Sequence, residues 1–173
     1  MLDKAGNRLQ PGQIGEVVVR GPAPMLEYWN RPEATAATLI DGWVHTGDAG
    51  YLDKDGYLFI SDRIKDMIIV AGENVYPAEV ENAIVSHPAV REAAVVGGPD
   101  ERWGETVYAF IAPLPDQFVT PYELTVFLRD KLATFKRPQH FEFVDALPRN
   151  ASGKVLRREL REQLWLGRER AIN

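Results

Sequence analysis

The sequence predicts an α+β protein. Its β-rich opening gives way near residue 65 to a compact alternation of strands and helices. Three observations carry this. Short apolar runs bounded by glycine and turn residues crowd the first 60 residues. From about Lys65 onward, such runs alternate with helical patterns that have apolar faces of their own. Between the two lies Asp62-Arg63-Ile64-Lys65-Asp66, an alternating-charge run that can stay solvated and swivel between packed regions.

In chain order, residues 2–12 are polar turn sequence, and Ile14 to Gly21 is a short strand between glycines. Nothing before that strand can pair with it, so its neighbours come from later strands or from an upstream part. Asn30 to Leu39 reads as a helix with Pro32 and Glu33 in its first turn, stopped by Asp41-Gly42. Trp43 to Asp48 is a strand running into a turn at Thr46-Gly47-Asp48. A hairpin follows, Tyr51-Leu52 and Tyr57 to Ile60 around Asp-Gly. Met67 to Ala71 is apolar, the chain turns on Gly72, and a helix begins at Pro77 with Val80, Ala83 and Ile84 on one face. His87-Pro88 ends that helix. Val90 to Val96 and Glu105 to Leu114 are strands, separated by a break at Gly97-Gly98-Pro99. Thr120-Pro121-Tyr122-Glu123 is a capping box that starts a helix carrying Leu124, Phe127, Leu128 and Leu132. Phe141 to Val144 is a strand. A polar loop, Arg149 to Lys154, then leads into a helix with Leu156, Leu160 and Leu164 on one stripe.

Composition narrows the function classes. The chain has 173 residues, enough to bury roughly 70% of its unfolded surface without staples. It has no cysteine, which removes disulfides, thiolate metal sites and a cysteine nucleophile. His45, His87 and His140 are isolated and read as structural, so no metal site is expected. A net charge of −5 offers no field for nucleic acid. With no signal pattern and no transmembrane run, the expected location is cytoplasmic. Asn150-Ala151-Ser152 matches a glycosylation acceptor and, without a sign of secretion, reads as a chance match. One local exception is residues 149–170, with seven basic residues against three acidic ones: a solvated helix face, or a surface facing phosphate.

Three polar clusters could carry chemistry. Asp48, beside glycine at a strand end, could accept the two hydroxyls of a ribose, although aspartate at a turn is more often a local cap. The segment Asp62 to Asn74 joins a possible pivot to a glycine turn that allows close backbone approach. Lys154 stands on a loop with Ser152 and Gly153, where a lysine serves as a movable point charge. This is not a phosphate-binding Walker loop, because Pro148 and Val155 occupy two of its required positions. No dinucleotide fingerprint and no nucleophile elbow occur.

In order and spacing, these clusters resemble one family. Gly42-Trp43-x-x-Thr46-Gly47-Asp48, Asp62-Arg63-x-Lys65-Asp66, Gly72-Glu73-Asn74-x-x-Pro77-x-Glu79-x-Glu81 and Asn150-x-Ser152-Gly153-Lys154 look like the adenylate-forming acyl-CoA synthetases. That superfamily also includes luciferases and peptide-synthetase adenylation domains. The resemblance runs from about Gly6 to Glu162.

The resemblance implies that residues 1–64 are the β-rich end of a large AMP-binding domain and residues 65–173 its small mobile C-terminal domain, hinged at Lys65. Thr46, Asp48 and Arg63 would serve the nucleotide, with Asp48 on the ribose. Lys154 would be the catalytic residue, reaching the substrate carboxylate and α-phosphate. Gly72, Glu73 and Asn74 would line the pantetheine tunnel, where a side chain at Gly72 would obstruct the thiol channel. The implied reaction joins a carboxylic acid to coenzyme A through acyl-AMP, using ATP and Mg2+, with no metal ligand expected from this chain. The family's Gly/Ser/Thr-rich phosphate loop and acyl pocket have no counterpart here, so the chain alone is expected to be inactive. Lys65 and Asn74 lean towards a fatty-acyl or aryl ligase. Two alternatives compete: a standalone cap-like module that binds nucleotide or a partner, and part of a peptide-synthetase adenylation domain.

Overall fold

The computed structural model describes residues 1–167. They form two compact units, one from Met1 to Lys65 and one from Asp66 onward.

The first unit is organised on one long strand. β1 (Gly15–Val19), β2 (Leu39–Ile40) and β4 (Leu58–Arg63) all pair antiparallel with β3 (Trp43–Leu52). β1 therefore finds its partner later in the chain, with Leu2 bridging to Glu16 beside it. Helix α1 (Pro32–Thr38) begins on Pro32. Its missing N–H costs nothing there, because the first-turn donors are unpaired anyway. Tyr51 and Phe59 stack across β3 and β4 with centroids 5.1 Å apart. The Thr46-Gly47-Asp48 segment is not the turn expected from its glycine. The strand runs through it, and against β1 the register slips between Glu16 and Val18, so β3 bulges there with Gly47 at φ +70°.

The charged joint also differs from expectation. Asp62 and Arg63 lie within β4, paired with Ala49 and Asp48, and only Ile64–Asp66 leaves the sheet, as a single 3-10 turn. Ladder pairing with β3 overrides the polarity of the run.

The second unit is a five-stranded sheet covered on both faces. β5 (Ile68–Val70) and β6 (Glu73–Val75) form a hairpin. β7 (Val90–Asp100) and β8 (Gly104–Pro113) form a long antiparallel ladder. β9 (His140–Phe143) lies parallel to β8. β7 occupies one side of β8 along its whole length, while β5 and β9 share the other.

Strand alternation sends Val95, Val107, Ala109 and Ile111 to a core with α2 (Pro77–Val85) and α3 (Pro121–Phe127). It sends Ala94, Val96 and Phe110 to a second core with Leu147 and α4 (Arg157–Leu164). Val80 and Ile84 of α2 are fully buried, each removing side-chain surface worth roughly 1.5–3 kcal/mol. The capping box on α3 forms as its sequence predicts, but the helix ends at Phe127, and Leu128 and Leu132 are buried from the turns that follow.

Two glycine readings need correction. Gly97-Gly98-Pro99 does not break β7, which continues to Asp100. Gly98 is required because a Cβ would collide with the Tyr108 ring on β8. After Gly72 the chain does not go straight to the helix but forms β6 first, a strand too short to show a period.

Among the described residues, no helix is long and apolar enough to cross a membrane.

Candidate functional site

In the first unit, the bulge on β3 sets the geometry around Asp48. Thr46 Oγ1 donates to the carbonyl of Val17 at 2.8 Å and accepts the Asp48 N–H at 3.1 Å. Glu16 braces the other side of the bulge: Oε1 takes the Gly47 N–H at 3.2 Å and Oε2 meets His45 Nδ1 at 2.7 Å. Arg63, opposite Asp48 in the ladder, donates from Nη1 to Asp48 Oδ1 at 2.9 Å. The pair is half-exposed, at 53% and 29%, where an ion pair contributes only about 0–1 kcal/mol to stability. The other carboxylate oxygen, Oδ2, has no partner among the described residues. Such an oxygen can accept from a diol while Arg63 holds the carboxylate still. Nothing in the sequence marks Glu16, because its role depends on a register slip between strands far apart in the chain.

Lys65 sits in the 3-10 turn, exposed, and outside any strand. Next to it in sequence, Asp66 is held within the second unit by Arg161 of α4 at 3.6 Å.

The second unit carries two exposed features of different construction. The first is the β5–β6 hairpin. Its two-residue loop places Ala71 at φ +51° and Gly72 at φ +87°, the paired left-handed conformation that suits the twist of a tight hairpin. A Cβ on Gly72 would meet nothing within 4 Å, so within this unit the demand for glycine is conformational rather than steric. Glu73 and Asn74 are exposed, and neither side chain is engaged among the described residues.

The second is the loop ending in Lys154. Asn150 Oδ1 accepts three hydrogen bonds: from Ser152 N–H at 3.1 Å, Ser152 Oγ at 2.8 Å and Lys154 N–H at 2.9 Å. Gly153 takes φ +80°, and Arg149 pairs with Val155 across the loop.

The basic stretch expected to face solvent or phosphate is largely neutralised. Arg149 pairs with Glu92, Arg157 with Glu81, Arg158 with Glu162 and Arg161 with Asp66. Arg168, Glu169 and Arg170 lie outside the described residues. Of the basic residues described in this stretch, Lys154 alone has an unpaired side chain. The Arg158 guanidinium, hydrogen-bonded to Glu162, is pushed above its ordinary value and stays charged.

Gly72 and Lys154 are kept apart by β8. The glycine turn adjoins the start of that strand, where Val70 pairs with Gly104 and Ala71 N–H donates to Trp103 O at 3.1 Å. The lysine loop is tied by Arg149 to Glu92, which pairs with Ala112 near the other end. Eight residues of extended strand separate those positions, roughly 25 Å. The structure thus does not bring Lys154 and the Gly72-Glu73-Asn74 hairpin together; they are at opposite ends of one rigid ladder.

In the sequence Glu81 is one position of a motif, with no role of its own. It lies 13% exposed and accepts Arg157 Nε at 3.0 Å, Arg157 Nη2 at 2.6 Å and the Val95 N–H at 2.8 Å. It thereby closes part of the free edge of β7 and locks α2 to α4. Among the described residues no group of three or more side chains could hold a metal ion.

The second unit is thus a sheet covered on both faces, with a left-handed glycine hairpin at one end and the Lys154 loop at the other. Residues 79–154 match the AMP-binding enzyme C-terminal domain. That match lies within the second unit, and the relatives below extend the likeness to acyl ligases over the first. It is 58% identical over all 173 residues to a fatty acid--[acyl-carrier-protein] ligase, ScoC, of Streptomyces coeruleorubidus, covering 33% of that protein. It is 49% identical over 159 residues, 92% of the chain, to a feruloyl-CoA synthase of an Amycolatopsis species, covering 32% of that protein. Among solved structures, the o-succinylbenzoate CoA synthetase of Bacillus subtilis in complex with its acyl-adenylate superimposes with a TM-score of 0.86 at 45% identity. That match covers 92% of this chain and 32% of the other. The chain spans about a third of the length of the curated relatives it matches.

Proposed function

We propose that this chain is part of an ATP-dependent acid–thiol ligase. The enzyme joins a carboxylate to ATP, giving acyl-AMP and pyrophosphate, and then transfers the acyl group to the thiol of coenzyme A with release of AMP. Residues 1–64 contribute to the large AMP-binding domain, residues 65–173 form the small domain, and Lys65 is the hinge. A cytoplasmic location belongs to the same reading.

Asp48, held by Arg63, accepts the ribose hydroxyls. Lys154 places its ammonium where the carboxylate attacks the α-phosphorus, offsetting charge that builds on the phosphate oxygens. The Gly72-Glu73-Asn74 hairpin borders the path of the thiol in the second step. Mg2+ would accompany the nucleotide phosphates, and no step here depends on a ligand from this chain.

One observation carries the reading. The unpaired lysine and the glycine hairpin stand at opposite ends of β8, so a single rigid domain presents one of them only by turning the other away. A chain that merely bound nucleotide as a standalone module would have no use for that separation.

Complementation tests the proposal. The chain alone should release no pyrophosphate from ATP with any carboxylic acid. Mixed with a separately produced large domain it should restore thioester formation, and pyrophosphate release by the isolated chain would contradict the assignment.

A second reading concerns only the acceptor. The 58% identity to an acyl-carrier-protein ligase favours the phosphopantetheine thiol of a carrier protein over free coenzyme A. Supplying each thiol in turn to the complemented enzyme decides between them. The acid is a fatty or aryl acid under either reading, in keeping with the two relatives.

A further inference from the structure

We infer that Arg149 is a positioning residue that aims Lys154, by tying the carbonyl of Gly153 to the carboxylate of Glu92 on β7. The inference rests on the role proposed above for Lys154. The peptide unit joining Gly153 to Lys154 is held at both of its polar atoms by side chains. Arg149 Nη1 donates to the Gly153 carbonyl at 2.6 Å, and Asn150 Oδ1 accepts the Lys154 N–H at 2.9 Å. Fixing both atoms fixes the plane of that peptide, and the Asn150 N–H, donating to the Lys154 carbonyl at 3.0 Å, holds the next one, so that together they set the direction in which the Lys154 side chain leaves the backbone.

The other arm of the guanidinium, Nη2, binds Glu92 Oε2. Glu92 stands in the ladder opposite Ala112, and its Oε1 faces Arg91 Nη2 at 3.4 Å, while that same nitrogen donates to the Asp145 carbonyl at 2.7 Å. The loop is therefore referred to the sheet through a planar fork, a geometry lysine cannot reproduce.

Stability does not account for this arrangement. Arg149 is 44% exposed and Glu92 23%, a setting in which ion pairs add little to folding. Aim is another matter, since small misplacements of a charge-stabilising group cost rate steeply.

In the complete ligase, Arg149→Ala should slow adenylation about 10-fold through kcat, with KM for ATP and the acid little changed. Thioester formation from supplied acyl-AMP should be unaffected. Arg149→Lys, which can keep one of the two bonds, should fall between wild type and Arg149→Ala. In the 173-residue chain itself, the Lys154 amide should exchange with solvent several-fold faster in Arg149→Ala, with Tm nearly unchanged. Unaltered exchange, unaltered adenylation or equal loss in both half-reactions would overturn the inference. If Lys154→Ala left adenylation intact, the role of Lys154 would fall instead, while the exchange rate would still show whether Arg149 orders the loop.

Discussion

The two ends of the β7–β8 ladder are built in different ways. At the Gly72 end the backbone does the work: two consecutive left-handed residues close a hairpin, and the adjoining side chains are left unengaged. At the Lys154 end side chains join the backbone, with Asn150 and Arg149 bracing a loop that also turns on a left-handed Gly153. A backbone-built turn leaves its polar side chains available to line a path for a substrate. A side-chain-built loop uses its polar groups to direct a single charge. Under the proposed function, the difference suits a domain with two tasks, one needing a smooth border and one needing aim.

The comparison breaks most severely if the shared scaffold is loosened. Glu81→Ala would remove the carboxylate to which Arg157 and the Val95 N–H both donate, at an expected cost of about 2–3 kcal/mol in unfolding free energy. Denaturant titration measures it, and both ends should suffer together because they share β7 and β8. A cost under about 0.5 kcal/mol would mean that Glu81 does not close the edge.

Smaller effects sharpen the contrast. Gly72→Ala forces a Cβ onto a residue at φ +87°, a penalty of about 1–2 kcal/mol, although nothing nearby would clash. Asn150→Ala removes an acceptor of three hydrogen bonds on an exposed loop and should cost only about 1 kcal/mol, while proteolysis of the loop accelerates. The first loss appears in stability and the second mainly in local order.

The smallest effect is remote from both ends. Hydrogen bonds from the Thr120 backbone N–H, then its hydroxyl, hold the Glu123 carboxyl below its ordinary value. A carboxyl depressed in the folded state adds stability above its unfolded pKa and loses it as pH falls through the lower folded value. Thr120→Ala keeps the backbone bond but removes the hydroxyl, which also accepts the Glu123 N–H, so it should lower Tm slightly, with the difference shrinking without vanishing below about pH 4.

Much of this was legible in the sequence where local signals and tertiary needs agree. The capping box at Thr120, the proline at the start of α2 and the apolar face of Val80 and Ile84 each announce the element they form. The fold class followed from the alternation of strand and helix after Lys65. The sequence failed where pairing between distant strands decides the outcome. Thr46-Gly47-Asp48 carries the residues of a turn but forms a bulge, because β1 pairs with β3 on both sides of it and β4 takes up the ladder at Asp48. Gly97-Gly98 looks like a break and proves to be a strand that makes room for Tyr108. The pairing of Arg149, Arg157 and Arg161 with Glu92, Glu81 and Asp66 spans up to 95 positions, so the basic stretch could not be resolved from spacing alone. Only after those pairs are assigned does Lys154 stand apart.

The most direct test follows both half-reactions separately, by single-turnover kinetics, in Lys154→Ala and Gly72→Leu variants of the complete ligase. A domain that offers its two ends in turn predicts that Lys154→Ala slows adenylation about 100-fold or more and spares thioester formation from supplied acyl-AMP. Gly72→Leu should spare adenylation and slow thioester formation. Two variants that each lose both half-reactions to the same degree would contradict it.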